Sequence, residues 1–220
     1  MTWRRGKRDR PWTGLLAAVA AVAQLLIAAP AGAELVDRVI AAVNNDVITR
    51  SELRQAVMFN LSLSGGSEAG RKVEAETLEG LINRKLLLQE AYRLRYVEVT
   101  DQDAAEEVKK LRARLGTEQA FQDLLERTGM TGDRLARLLG ERLLVERFID
   151  KKIGIFARVN RDEVEQYYRE HGTEFSGKRF PEVQKQITAF LTQQKTLQQL
   201  DLYIAELRGR ADIRINGMEE

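Results

Sequence analysis

The chain has 220 residues, with 35 Lys+Arg, 33 Asp+Glu, one His and no Cys, and a formal net charge of +2. The lack of Cys excludes a disulfide framework, a thiolate metal site and a lipid-anchoring N-terminal Cys. The basic excess is confined to residues 1–33, which hold five Lys/Arg and one Asp; the remainder carries 30 against 32, a net −2, and leaves no electrostatic footprint for nucleic acid.

Arg4, Arg5, Lys7, Arg8 and Arg10 precede an uncharged run of Leu, Ala, Val and Ile over residues 14–29, followed by Pro30 and Ala31-Gly32-Ala33. This is the three-part layout of a secretory signal peptide, with cleavage predicted after Ala33. The apolar run is shorter than the roughly 20 residues of a spanning helix. It is therefore read as a cleaved leader rather than a retained anchor, and stable membrane insertion is not expected afterwards. Cleavage removes both tryptophans, Trp3 and Trp12, and leaves about 187 residues, enough for one domain with an appendage.

The first element after the leader is a hairpin. Residues 36–43 are rich in β-branched and small apolar side chains, Asn44-Asn45-Asp46 supplies the turn, and Val47-Ile48 returns. Thr49 and Glu52 have capping-box spacing and open a helix over about 50–61, which Ser64-Gly65-Gly66-Ser67 ends. A second helix spans about 72–94, with Leu78, Leu81, Ile82, Leu86 and Leu88 covering a wide apolar surface. Residues 97–99 form a short extended link. Thr100 opens a helix that Gly116 ends, Thr117 opens another that Gly129 ends, and Thr131 opens a fifth over about 132–152. Asn160 and Glu163 form a capping-box variant ahead of a short helix that stops at Gly172. Pro181 opens a long helix to about residue 208, along which Val183, Phe190, Leu197 and Ile204 recur every seven residues. Residues 212–216 alternate as a strand. That lone strand needs a partner, so a small antiparallel sheet joining the two ends of the mature chain is predicted.

Catalytic chemistry is hard to find. The single histidine, His171, sits at a helix C-terminus, where a cation is favoured by the dipole. The acidic pairs Glu106-Glu107 and Asp162-Glu163 lie in helical first turns, where acidic residues are expected. Gly65-Gly66 has no Lys-Ser/Thr after it and is no phosphate loop. No catalytic set, metal set or cofactor is predicted. What stands out are large apolar residues near helix ends and links: Met58, Phe59, Leu61 and Leu63, then Phe121, Met130, Phe156, Phe175 and Phe180. On a concave surface such residues bind varied apolar segments. The bland reading of each is core packing.

Four segments, in order, resemble SurA-type periplasmic chaperones and their parvulin relatives. Residues 36–49 (VDRVIAAVNNDVIT) are similar to the family's opening hairpin, and residues 81–91 (LINRKLLLQEA) to its L-I-x-x-x-L-L-x-x-E-A helix. Residues 159–168 (VNRDEVEQYY) are similar to its Tyr-Tyr segment, and residues 211–215 (ADIRI) to its closing strand. The resemblance implies a mostly α, multi-helix SurA/trigger-factor-like chaperone domain with a small antiparallel sheet formed by the N-terminal hairpin and the C-terminal strand. It implies a division into a signal peptide (1–33), a SurA-like N-terminal helical domain (34–158), and a linker helix, long helix and closing strand (159–220) packing on the same body. In the family a parvulin domain of about a hundred residues usually follows the Tyr-Tyr segment, and residues 171–180 leave no room for one here. The expected function is a periplasmic, ATP-independent chaperone that binds unfolded polypeptides, outer-membrane proteins among them, without isomerase activity. Two alternatives stand beside it: a prolyl-isomerase relative with residual activity, and an assembly protein with one dedicated partner. The seven-residue stripe also leaves a homodimer open.

Overall fold

Residues 37–66, 70–175 and 177–216 are described in a computed structural model of the protein. The predicted leader and its cleavage point at Ala33 lie outside them.

Strands β1 (Val39–Val43) and β2 (Asp46–Thr49) pair antiparallel, with an irregularity in register between Val39 and Ala41. Asn44 turns the hairpin with φ 54°, a left-handed value that Asn adopts more readily than most residues. β3 (Ile213–Ile215) adds antiparallel to the other edge of β1, so the order is β2-β1-β3. The expected sheet joining the two ends is thus present. Asn44 is its rivet. Its N–H donates to the Asp212 carbonyl at 2.8 Å, and its Oδ1 accepts from the Asp212 N–H at 2.9 Å. Its Nδ2 donates to Gln89 Oε1 at 2.7 Å, and Gln89 Nε2 donates to the Val43 carbonyl at 3.0 Å.

Seven helices follow among the described residues: α1 (Arg50–Ser64), α2 (Arg71–Leu94), α3 (Asp101–Leu115), α4 (Glu118–Thr128), α5 (Gly132–Ile153), α6 (Arg161–Glu170) and α7 (Phe180–Arg210). Their starts are chemical. Thr49, Thr100, Thr117, Thr131 and Asn160 each accept a backbone N–H three residues on, a cap contributing about 1 kcal/mol. Reciprocal boxes close at Thr100/Asp103 and at Asn160/Glu163. The box expected at Thr49 is only half made, because the Glu52 carboxylate turns away toward Arg84 and Lys85 on α2. α1 also runs past its expected end, to Ser64, before Gly65 closes it at φ 72°. Residues 97–99 form no strand; Val97 and Val99 pack against the core.

The core has three parts. The largest joins the sheet to α1, α2, α5 and the end of α7, with Ile40, Val43, Ile48, Ile82 and Phe148 at or below 1% exposure. A second gathers Phe59, Leu111, Phe121, Leu124, Met130 and Leu135 from α1, α3, α4, α5 and the turn before α5. α3 and α5 cross closely: a Cβ on Gly140 would lie 3.2 Å from Ala104 Cβ. The third holds α6 against α7 through Val164, Val183 and Ile187.

At about 46 Å long, α7 reaches from the third part to the first. Glu90 on α2 fastens its far end. This buried carboxylate accepts from Arg93 at 2.7 and 2.8 Å, from the Tyr203 hydroxyl at 2.9 Å and from Arg210 at 3.1 Å. The Arg93 hydrogen bonds dominate and, opposed by burial and aided by Tyr203 and Arg210, hold its pKa at about 2. Burial and the hydrogen bond to Glu90 raise the Tyr203 phenol in turn. At its midpoint, Lys195 joins α7 to α6 by donating to both Glu163 oxygens at 2.7 and 2.8 Å. The link between α6 and α7 is nine residues, 171–179, with turns at 171–175 and at 177. His171 caps α6 there, with its ring stacked 3.9 Å from that of Tyr167.

Candidate functional site

The nine apolar residues singled out from sequence do not converge. Phe59 and Phe121 are 1% exposed and Met130 is 7% exposed. All three are core side chains of the second cluster, and Met130 also borders a cleft. Each sits near a helix end, but α4 and α5 close over that end and remove the ring or thioether from water. Leu63 is half-buried against the same cluster, and Met58 is half-buried on α1. Phe175 and Phe180 pack beside Tyr168, with ring centroids 5.8 and 5.5 Å away. Only Phe156 is widely open, at 69%, next to Ile155 at 62% in the turn after α5. Leu61 packs on the first cluster while lining a cleft.

That cleft is built mainly from helical side chains. It lies between α1, α2 and α5 and has a volume of about 690 Å³. Ala56, Leu61, Val73, Leu81, Met130 and Leu138 give it an apolar lining. The helices place these residues by their period: Ala56 and Leu61 face inward from α1, Val73 and Leu81 from α2, and Leu138 from α5. Its polar lining is uneven. Five cations, Arg84, Lys85, Arg134, Arg137 and Arg142, meet three carboxylates, Glu52, Glu76 and Glu141.

The cations are held loosely. Arg84 stands 3.9 Å from Glu52 and 3.8 Å from Glu141, and Lys85 stands 3.5 Å from Glu52. Such separations exceed those of charge-assisted hydrogen bonds, which are about 2.7–2.9 Å. The Nε of Arg84 is buried without a hydrogen-bond partner. Arg142 lies over the Phe59 ring at 4.7 Å and donates to Asn60 Oδ1 at 3.4 Å. Burial, and then the nearby charge of Arg84, lower the Arg142 pKa. Arg134 donates to Gln55 at 2.9 Å.

Sequence reasoning missed these arginines because a helical Arg reads as a solvated surface residue. The available signal was position. Arg84-Lys85 interrupts the apolar surface between Ile82 and Leu86, and Arg142 stands between Leu139 and Leu144. A charge inside such a stripe must snorkel or find a cleft. Among the described residues, no group of three or more His, Cys, Asp or Glu could hold a metal ion, and no helix is long and apolar enough to cross a membrane.

Along α7 the seven-residue stripe is buried at Val183 but open at Phe190 and Leu197, which are 43% and 52% exposed, and Ile204 is half-buried. Leu202 is 60% exposed.

Residues 4–149 match the family described as SurA-like N-terminal domain, a span that contains every residue lining the cleft. The Foldase protein PrsA of Clostridium botulinum strain Hall is 27% identical over 157 residues, covering 63% of this chain and 46% of the relative. The PrsA of strain Kyoto is 26% identical over 157 residues with the same shares. The chain therefore spans about half the length of the curated relatives it matches. Among solved structures, a chain from the work on PEB4 and Cj1289, two SurA-like chaperones of Campylobacter jejuni, has the same fold. Its TM-score is 0.53 at 12% identity, covering 82% of this chain and 99% of that one.

Proposed function

The chain belongs to the SurA-like N-terminal domain family, and we propose that it is an ATP-independent chaperone, exported to the periplasm, that holds unfolded polypeptides in the cleft between α1, α2 and α5. The single observation that carries this reading is the cleft itself, about 690 Å³ of mixed apolar and charged lining inside the family-matching segment. Clients of the expected kind are outer-membrane proteins between export and insertion.

Capture needs no nucleotide in this account. Each Å² of apolar client surface buried contributes about 25 cal/mol, opposed by the cost of ordering an unfolded chain. Binding near micromolar, with rapid exchange, is the expected balance, roughly −8 kcal/mol. The exposed pair Ile155 and Phe156 offers a further apolar contact near the end of α5. The nine-residue link at 171–179 supports holding without prolyl isomerisation at that point of the chain.

The test is aggregation of a urea-unfolded outer-membrane protein after dilution, followed by light scattering. Several-fold excess of the purified protein should slow it; unchanged scattering would sink the proposal. A proline-limited peptide assay should show no turnover above background. A second reading rests on the open middle of α7: a second copy covering Phe190 and Leu197. Sedimentation velocity showing a stable dimer would favour it, and a monomer across the working concentration range would remove it.

A further inference from the structure

Within the proposed client-binding cleft, the charges have a consequence for what it selects. Arg84 is the central group, with its side chain only 16% exposed. Its Nε–H is buried and donates to nothing, and both carboxylates near its other nitrogens stay 3.8 Å or more away. Leaving a charged donor unsatisfied out of water is costly, and such a site favours an arriving acceptor. Arg142 is partly buried, and its one hydrogen bond is long, at 3.4 Å to a neutral amide. Arg137 lines the same cleft from α5, exposed and with no hydrogen bond or ion pair among the described residues. Five cations against three carboxylates leave the lining positive, although the chain beyond residue 33 carries net −2.

We infer that the cleft selects polypeptide segments carrying a carboxylate, which Arg84, Arg137 and Arg142 receive while Ala56, Leu61 and Leu138 cover the neighbouring apolar side chains. This inference rests on the proposed chaperone function. A carboxylate is the anion that an unmodified polypeptide carries, either on Asp and Glu or at its C-terminus. A guanidinium fork binds either geometry with paired hydrogen bonds. The three acids of the cleft sharpen the preference by opposing segments rich in uncompensated negative charge and by drawing the cations into register.

The experiment uses fluorescein-labelled, unstructured apolar peptides of one sequence, titrated against the purified protein by anisotropy. One pair differs only in a free or amidated C-terminus, the other only in an internal Glu or Gln. The charged member of at least one pair should bind about tenfold tighter than its neutral twin, and the pair with the larger ratio identifies the source. The ratio should fall as salt is raised. Arg84→Gln and Arg137→Gln should each reduce the ratio, by weakening the charged peptide more than its neutral twin. Arg137 has no internal partner to lose, so its variant keeps the test open if Arg84→Gln unfolds. Equal binding of charged and neutral twins, or variants that weaken both alike, would overturn the inference. If no peptide binds while aggregation of an unfolded client is still slowed, the cleft assignment fails and the chaperone reading survives. If aggregation is not slowed either, both fail.

Discussion

Replacing Glu90 by Gln removes the charge that fastens α7 to α2 and keeps the side chain's size. The folded carboxyl titrates at about 2 against an ordinary 4.5. That gap corresponds to about 3 kcal/mol of stability carried by the ionised form. Arg93 and Arg210 are 61% and 49% exposed, and solvent screens their share, so about 2–3 kcal/mol is expected at pH 7. The sign follows from the direction of the shift. The folded pKa is depressed, so the contribution is complete above pH 4.5 and disappears as pH falls toward 2. Urea unfolding at pH 7 and pH 3 measures it. The variant should lose about 2–3 kcal/mol at pH 7 and less than about half of that at pH 3. A loss that is the same at both values, or below about 0.5 kcal/mol at pH 7, would refute the role given to the Glu90 charge, which rests first on Arg93 of α2 itself and then on Tyr203 and Arg210 of α7.

Other consequences are as specific. Asn44→Ala should destabilise by about 2–3 kcal/mol, since it removes the side-chain bonds to Asp212 and Gln89 while keeping φ at 54°. Asn44→Gly should cost about 1 kcal/mol less in the same urea titration, because glycine adopts that φ freely. Phe121→Ala should cost about 3–5 kcal/mol as a cavity in the second core, whereas Phe156→Ala should stay within about 0.5 kcal/mol and weaken client binding instead. Protein recovered from the periplasm should begin at Glu34 by intact mass and show no tryptophan emission, since Trp3 and Trp12 lie in the leader; a retained N-terminus would show both.

Helix boundaries were legible because their chemistry is local. Thr100, Thr117, Thr131 and Asn160 cap, and Gly116 and Gly129 stop, each within a few residues of the backbone groups concerned. The closing sheet was legible too, since residues 212–216 alternate and a lone strand needs a neighbour. The binding surface was not. A Phe near a helix end has the same sequence appearance whether a later helix covers it or leaves it open. Phe59 and Phe121 were covered, and Phe156 was not. Arg84 acquires its meaning from Arg142, more than fifty positions away, and Glu90 from Tyr203 and Arg210, more than a hundred positions away. Pairings at that distance are set by how α2 meets α5 and α7, which no local pattern records.

An unfolded client is proposed to occupy the cleft between α1, α2 and α5. A photoreactive residue at Asn60, which lines the cleft, and another at Lys109, exposed on α3 and outside it, test this directly. Incubated with a urea-diluted outer-membrane protein and illuminated, the Asn60 probe should form adducts that excess unlabelled client competes away, and the Lys109 probe should form few. Adducts of equal yield at both positions, or none at Asn60 while aggregation is still slowed, would contradict it.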